Sequence, residues 1–253
     1  MSQPSELHRY FGVRPLVAGE WRQLAPPLCS ATEAIQQGVA MLAALSPDDP
    51  PHIVVWHVEE PTLVLGRGGA VDIVDRLACE SAGIAVTTRA TGGGPLLWGA
   101  GLLAFDVLLP KGHALATTDV VESYRFVGDG VVAALAHFGI ASRRLEAGEA
   151  RTAALDDTHP SARLCFGGKS PHEVVIGQRK IAGLSQARRA TGTLIQGGIL
   201  LTDEHLNIVN LVHDPTIDRA SLQQRTASVA SLGRLVVRAD LTRVLFEQIA
   251  RSA

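Results

Sequence analysis

The chain reads as an α+β (α/β) fold, a mixed and largely antiparallel sheet with helices on its outside. Three observations predict it. Short runs rich in β-branched and apolar residues recur along the chain, amphipathic helical stretches are interspersed with them, and between residues 173 and 201 three such runs follow one another across Gly-containing turns. With 253 residues, 46% of them apolar, there is material for a sizeable core. Residues 1–29 are expected to be an N-terminal extension and 30–253 a single domain.

Taken in order, Ser30-Ala31-Thr32-Glu33 has a capping-box pattern, and Ala34, Ile35, Val39, Leu42 and Leu45 follow at helical spacing until Pro47 and the Pro50-Pro51 pair stop the helix. Cys29, just outside the cap, reads as packing. His52–Trp56 and Thr62–Leu65 are β-rich runs around Glu59-Glu60-Pro61 and are expected to pair, ending at Gly66-Arg67-Gly68-Gly69. Val71 to Ala82 is predicted helical with Cys79 inward, and Ile84 to Thr88 returns as a strand. Leu102 to Leu109 reads as a buried strand closed by Pro110. Val120 to Phe138 reads as a helix with Val121, Tyr124, Val127, Val131, Ala134, Leu135 and Phe138 inward, and Gly139 as its stop. Glu146 to Pro160 is expected to be a surface excursion. Glu173 to Gly177, Lys180 to Arg188 and Thr193 to Leu201 form the antiparallel run. Asp203-Glu204-His205 begins a short helix, and Ser221 to Leu232 and Ala239 to Ile249 supply two more.

Composition narrows the function. A formal charge of −2 lacks the basic surplus of a nucleic-acid binder. No run of 18 apolar residues and no signal-like N-terminus appear, so a cytoplasmic protein without a membrane association is expected. Three widely spaced cysteines make no disulfide framework, and neither Cys-x-x-Cys nor His-Glu-x-x-His occurs, so no metal site is expected.

The stretch from Arg163 to Leu201 carries the chemistry. Cys165 stands at the mouth of a Gly167-Gly168-Lys169-Ser170-Pro171 loop, and Lys180 lies just past a Gly177-Gln178 turn, so a thiol and an amine can meet across one hairpin. Only three of 23 basic residues are lysine, so a lysine beside Arg179 is expected to be needed as a lysine, although a basic pair at a turn is an ordinary surface feature. Lone cysteines are often inert; here Arg163, Lys169, Arg179 and Lys180 supply cations that favour a thiolate. Residues 163–189 hold six Arg or Lys and only Glu173 as an acid, a patch that could receive an acidic protein. Arg89-Ala90-Thr91-Gly92-Gly93-Gly94-Pro95 adds three consecutive glycines, which let a main chain approach a ligand and present N–H groups.

Cys-Phe-x-x-x-Ser-x-x-Glu, then Arg-Lys-Ile-Ala-Gly-x-Ser-Gln-x-Arg, then Gly-x-Leu-Ile-Gln-x-Gly-x-Leu-Leu resembles the lipoate protein ligase and lipoyl(octanoyl)transferase family over roughly residues 30 to 210. The resemblance is greatest to its cysteine-bearing octanoyltransferase branch. It implies the biotin/lipoate ligase fold, related to class II aminoacyl-tRNA synthetases. Cys165 falls on that branch's nucleophile and Lys180 on the family's lysine. Arg89, Thr91, Gly92, Gly93, Gly94, Ala182 and Gly183 inherit roles in the acyl and nucleotide pocket. Where ligases carry His-Asp and then Gly-Asn-Leu, this chain has Trp98-Gly99-Ala100-Gly101-Leu102, and Gly99-Ala100-Gly101 resembles the Gly-Pro-Gly of another octanoyltransferase branch. The implied activity is octanoyl transfer from acyl carrier protein to a lysine of a lipoyl domain or of glycine cleavage H protein, with no cofactor. An ATP- and Mg-dependent lipoate ligase, an amidotransferase between carrier proteins, and a non-catalytic binding relative are the alternatives. A P-loop at Gly167-Gly168-Lys169-Ser170 is rejected because position 163 is arginine and no helix is expected after it. His172 is a second choice as a base for Cys165.

Overall fold

A computed structural model of the protein describes residues 21–69 and 71–253. The predicted extension lies mostly outside the described residues; within it, β1 (Arg22–Leu24) pairs in parallel with β2 (His52–Trp56) at the edge of the main sheet. That sheet runs β1-β2-β6-β10-β9-β8-β7, with β6 (Leu102–Pro110), β7 (Arg143–Arg144), β8 (Val174–Ile176), β9 (Arg179–Arg189) and β10 (Gly192–Leu200). A second sheet has the order β4-β3-β5, from β3 (Thr62–Leu65), β4 (Ala85–Thr88) and β5 (Leu96–Trp98). All main-sheet pairs except β1–β2 are antiparallel.

Both faces of the main sheet are covered, which is why β6 is buried at all nine positions. Leu103, Phe105, Val107 and Leu109 pack with α3 (Arg125–His137) and α6 (Arg238–Arg251). Ala104 and Leu108 face the opposite way, toward α1 (Ala31–Ala44) and the small sheet. Period-two alternation thus divides one apolar run between two cores.

Local chemistry sets most boundaries. The Ser30 hydroxyl accepts from the Glu33 N–H at 3.2 Å while the Glu33 carboxylate accepts from the Ser30 N–H at 2.8 Å, closing the predicted capping box. Gly38 and Met41 line the buried face of α1, whereas Val39 is exposed. β2 and β3 are strands, as expected, but they join different sheets, because β6 takes the place beside β2.

The helix expected over 71–82 is broken. Val71–Ile73 is a 3-10 turn, Val74 bridges Val212, and the Asp75 side chain accepts from Ala78 N–H to start α2 (Arg76–Ser81) afresh. Similarly, a 3-10 turn at Glu122–Tyr124 precedes α3. The expected excursion contains a helix, α4 (Ala147–Asp156). The segment read as a helix from Ser221 divides into α5 (Arg219–Arg225) and a 3-10 turn at Ala230–Leu232. Between them Thr226-Ala227 runs beside β9, and Ala227 N–H donates to the Lys180 carbonyl at 2.9 Å. No helix among the described residues is long and apolar enough to cross a membrane.

Candidate active site

A cavity of about 310 Å³ lies between the main sheet, the glycine loop and the Cys165 loop. Ile35, Val64, Leu96, Trp98 and Leu102 give it apolar walls, and Arg89, Gly92, Gly93, Gly94, Cys165, Lys180 and Gly183 all reach it. Its size is at the small end for a ligand pocket.

The amine comes from β9 by way of a bulge. Val175 pairs with Lys180 and Val174 with Ala182, leaving Ile181 as one extra residue. An extra residue reverses the alternation beyond it, so Lys180 and Gly183 share the cavity face although three positions apart. A Cβ at Gly183 would lie 3.1 Å from Lys180 Cε, so the glycine leaves room for the lysine side chain.

Lys180 is 2% exposed, and its ammonium meets three acceptors: Glu173 Oε1 at 2.7 Å, the Cys165 carbonyl at 2.6 Å and the Gly168 carbonyl at 3.2 Å. Three donors for three acceptors commit the whole group. Lys180 therefore holds the Cys165 loop by its main chain rather than facing the sulfur. Its Nζ also sits 5.3 Å from the centre of the Phe166 ring.

Glu173 is the matching hub. Its carboxylate also accepts from the Ser170 N–H at 2.7 Å and the Leu184 N–H at 3.3 Å. Burial pushes its pKa up, against the pull of Lys180 and the two N–H donors. Sequence reasoning left this residue without a role, although it was the one acid among six cations.

The cation beside the sulfur is Arg89, whose Nη2 lies 3.9 Å from Cys165 Sγ. Its guanidinium also donates to the Gly92 carbonyl at 2.8 Å, the Gly94 carbonyl at 3.3 Å and Thr91 Oγ1 at 3.1 Å, while Nη1 is buried with no hydrogen-bond partner. Gly93 adopts φ +105°, and a Cβ there would come 2.7 Å from Arg89 Nη2. At Gly94 a Cβ would collide with the Arg163 carbonyl and the Cys165 N–H, so glycine is required where the two loops touch.

Four expectations need correction. The cations expected near the sulfur are engaged elsewhere: Arg163 pairs with Asp72 at 2.5 Å, Lys169 donates to Gln178, and Lys180 faces the Cys165 carbonyl. The basic run is not one patch, because Lys180 is buried and Arg179 and Arg189 stand at opposite ends of β9, about 33 Å apart at ~3.3 Å per residue. Ala182 packs in the core under α3 and α6 and does not line the cavity. Thr91, fully buried behind Arg89, does not line it either; its hydroxyl donates to Gln196 Oε1 at 2.8 Å and accepts from Ser185.

His172 does not serve the thiol. Its ring nitrogens lie 2.7 Å from Arg144 and 3.2 Å from Glu122, and its ring packs edge-on against Tyr124. Burial and the Arg144 charge push its pKa down. Among the described residues no group of three or more His, Cys, Asp or Glu is gathered as a metal site.

A two-sheet α+β scaffold of this kind is shared with the lipoate-protein ligases. The solved structure of lipoate-protein ligase A bound with ATP matches at a TM-score of 0.72 and 18% identity, over 93% of this chain and 85% of that one. A bi-partite lipoate protein ligase from Thermoplasma acidophilum matches at 0.72 and 18%, over 92% and 83%. The model of the lipoyl protein ligase A/B catalytic domain matches residues 32–250, and the chain belongs to that family. Among curated relatives, octanoyltransferase LipM of Kyrpidia tusciae is 31% identical over 191 residues, 72% of this chain and 66% of that protein. The LipM of Exiguobacterium sibiricum is 28% identical over 184 residues, 70% and 62%. The matched regions thus span a little under two thirds of those relatives.

Proposed function

We propose that this chain is an acyltransferase of protein lipoylation, moving an octanoyl group from the thioester of an acyl carrier protein to a lysine of a lipoyl domain or of the glycine cleavage H protein. The observation that carries the reading is the Arg89 guanidinium beside Cys165 Sγ, with its Nη1 unpaired, on a largely apolar cavity. The similarity to octanoyltransferases supports it.

The Cys165 sulfur, as thiolate, attacks the donor carbonyl and forms a C–S bond; the bond to the carrier sulfur breaks, and the carrier thiol leaves with the proton Cys165 gave up. The neutral amine of the acceptor lysine then attacks the acyl-cysteine. A C–N bond forms, the thiolate leaves, and the proton shed by the amine returns it to the thiol. Thioester exchange is close to balanced and amide formation from a thioester is downhill, so no ATP is consumed. Arg89 Nη1 supplies the donor for the carbonyl oxygen as charge develops on it. Lys180 and Glu173 act as positioning residues, fixing the loop through the Cys165 carbonyl.

The test is intact-mass spectrometry after brief exposure to octanoyl acyl carrier protein without ATP, followed by peptide mapping and by addition of an apo lipoyl domain. A hydroxylamine-labile octanoyl group on Cys165, absent from Cys165→Ala, is expected. Full transfer in Cys165→Ala that requires ATP replaces this reading with that of a lipoate ligase.

A further inference from the structure

The glycine loop that follows Arg89 is tied to the main sheet by a directed series of side-chain hydrogen bonds. Strand register places Ser185, Gln196 and Asp106 side by side on β9, β10 and β6. Gln196 Nε2 donates to Asp106 Oδ1 at 3.1 Å, and Gln196 Oε1 accepts from the Thr91 hydroxyl at 2.8 Å. Thr91 Oγ1 in turn accepts from Ser185 Oγ at 3.0 Å and from Arg89 Nε at 3.1 Å. The series ends at the sulfur, since Arg89 Nη2 lies 3.9 Å from Cys165 Sγ.

Each link has one workable direction. A hydroxyl has one proton and two lone pairs, and Thr91 uses all three. Burial raises the Asp106 pKa to about 7, and Oδ1 accepts whether or not Oδ2 carries a proton. That acceptor turns the Gln196 amide nitrogen toward β6 and its oxygen toward Thr91. A reversed amide would set an N–H donor against Thr91, whose lone pairs are already taken by Ser185 and Arg89.

Burial makes the series costly to break. Thr91 is fully buried, and Asp106 and Arg89 are 2% and 5% exposed, so a group that loses its partner here finds little water to replace it. Arg89 Nε and Nη2 also share the Gly92 carbonyl, at 3.2 and 2.8 Å, but that acceptor belongs to the same loop and moves with it. The Thr91 hydroxyl refers the loop to β9 and β10, two inner strands of the sheet. A guanidinium is planar and rigid, so holding its Nε–Nη2 edge also fixes Nη1, the buried donor without a partner.

We propose that Asp106, Gln196 and Thr91 are positioning residues, which hold Arg89 so that Nη2 stays against the Cys165 sulfur and Nη1 stays free for an acyl carbonyl oxygen. The carbonyl half of this inference rests on the reading of the protein as a transferase. The placement of Arg89 against the sulfur does not.

Two assays on the full-length protein separate the halves. Thr91→Val keeps the shape but can neither donate nor accept, whereas Thr91→Ser keeps the hydroxyl. Labelling of Cys165 by iodoacetamide at pH 7, read by peptide mass, is expected to slow about fivefold in Thr91→Val, the scale of losing one unit charge 3.9 Å from the sulfur in a water-like medium. Thr91→Ser is expected to label like the parent. In single-turnover acylation by S-octanoyl pantetheine, Thr91→Val is expected to lower the maximal rate by about tenfold or more while the half-saturating concentration stays within about twofold, because the donor to the developing oxyanion is displaced. Gln196→Met breaks the series one link further on and is expected to act in the same direction; it guards against a Thr91→Val protein that urea unfolding shows to be misfolded. Asp106→Leu is expected to slow labelling and Asp106→Asn to leave it, because only asparagine keeps an acceptor for Gln196 Nε2. Parental labelling in a folded Thr91→Val, Gln196→Met or Asp106→Leu protein overturns the proposal. So does an equal loss in Thr91→Ser, which assigns the effect to packing, or an acylation defect carried by the half-saturating concentration alone. No acylation of the parent, alongside the expected labelling pattern, removes the transferase reading and leaves the placement of Arg89 standing.

Discussion

Asp106→Asn gives a pH signature that can be worked out from burial alone. The carboxyl titrates near 3.8 in the unfolded chain and about 7 in the folded one, so between those values the native state holds a proton that the unfolded state has lost. A group that binds its proton more tightly when folded contributes stability that is full below the unfolded value and is lost as pH rises through the folded one. At ~1.36 kcal/mol per pH unit the whole loss is about 4 kcal/mol, of which about 2 kcal/mol falls between pH 5 and pH 7 and most of the remainder below pH 5. Asparagine has no such proton, and it keeps an oxygen for Gln196 Nε2. The assay is urea unfolding of both proteins from pH 5 to pH 8, with free energies taken by linear extrapolation. The advantage of Asp106→Asn over the parent should grow by about 3 kcal/mol across that range, with its steepest rise below pH 7 and a plateau above it. If the two stabilities run parallel to within about 0.5 kcal/mol, a margin set by additivity at independent sites, the carboxyl is not protonated in the native state and the argument from burial fails.

Lys180→Arg should lose about a hundredfold in transfer rate, because a planar fork cannot meet the Glu173, Cys165 and Gly168 acceptors from one compact centre and displaces the loop; a near-parental rate in a single-turnover assay contradicts the positioning role. Glu173→Ala leaves an unpaired buried ammonium and should cost about 3–5 kcal/mol in urea unfolding, more than any exposed pair such as Arg243–Glu247. Cys165 should react with iodoacetamide ahead of Cys29 and Cys79, whose thiols burial and neighbouring carboxylates push up; faster labelling of either, mapped by peptide mass, refutes the assignment. Gly94→Ala forces the glycine loop off the Cys165 loop and should cost about 1–3 kcal/mol along with acylation of Cys165; an acylation rate like the parent's means the two loops need not touch.

Sequence was a good guide wherever a local rule was enough. The capping box at Ser30, the strands on either side of Gly177, and the buried Leu102–Leu109 run follow from short-range hydrogen bonding and period-two alternation, and each appears in the structure. It misled where a local signal was overruled by a distant partner. Val71 to Ala82 has helical periodicity, yet Val74 leaves it to bridge Val212, and the two runs around Pro61 separate because β6 occupies the place between the sheets' partners. The basic run from Arg163 to Arg189 is continuous only along the chain, since a strand of eleven residues carries its ends far apart.

By itself, then, the sequence determined that this is an α+β chain with a cysteine and a scarce lysine on either side of a hairpin, and a glycine loop to meet them. Those statements depend on residue type and spacing, which sequence states outright. Only the tertiary structure decided what each group touches. The bulge at Ile181 turns Lys180 onto the cavity face, where its three protons go to Glu173 and two carbonyls, and Arg89 arrives from 76 residues away to stand beside the sulfur. Asp106 looks like an ordinary interruption of an apolar strand until two neighbouring strands set Gln196 and Ser185 in line with it. The physical reason is the same in each case: orientation and desolvation are properties of the packed environment, and a side chain's chemistry is fixed by neighbours that the sequence keeps far apart.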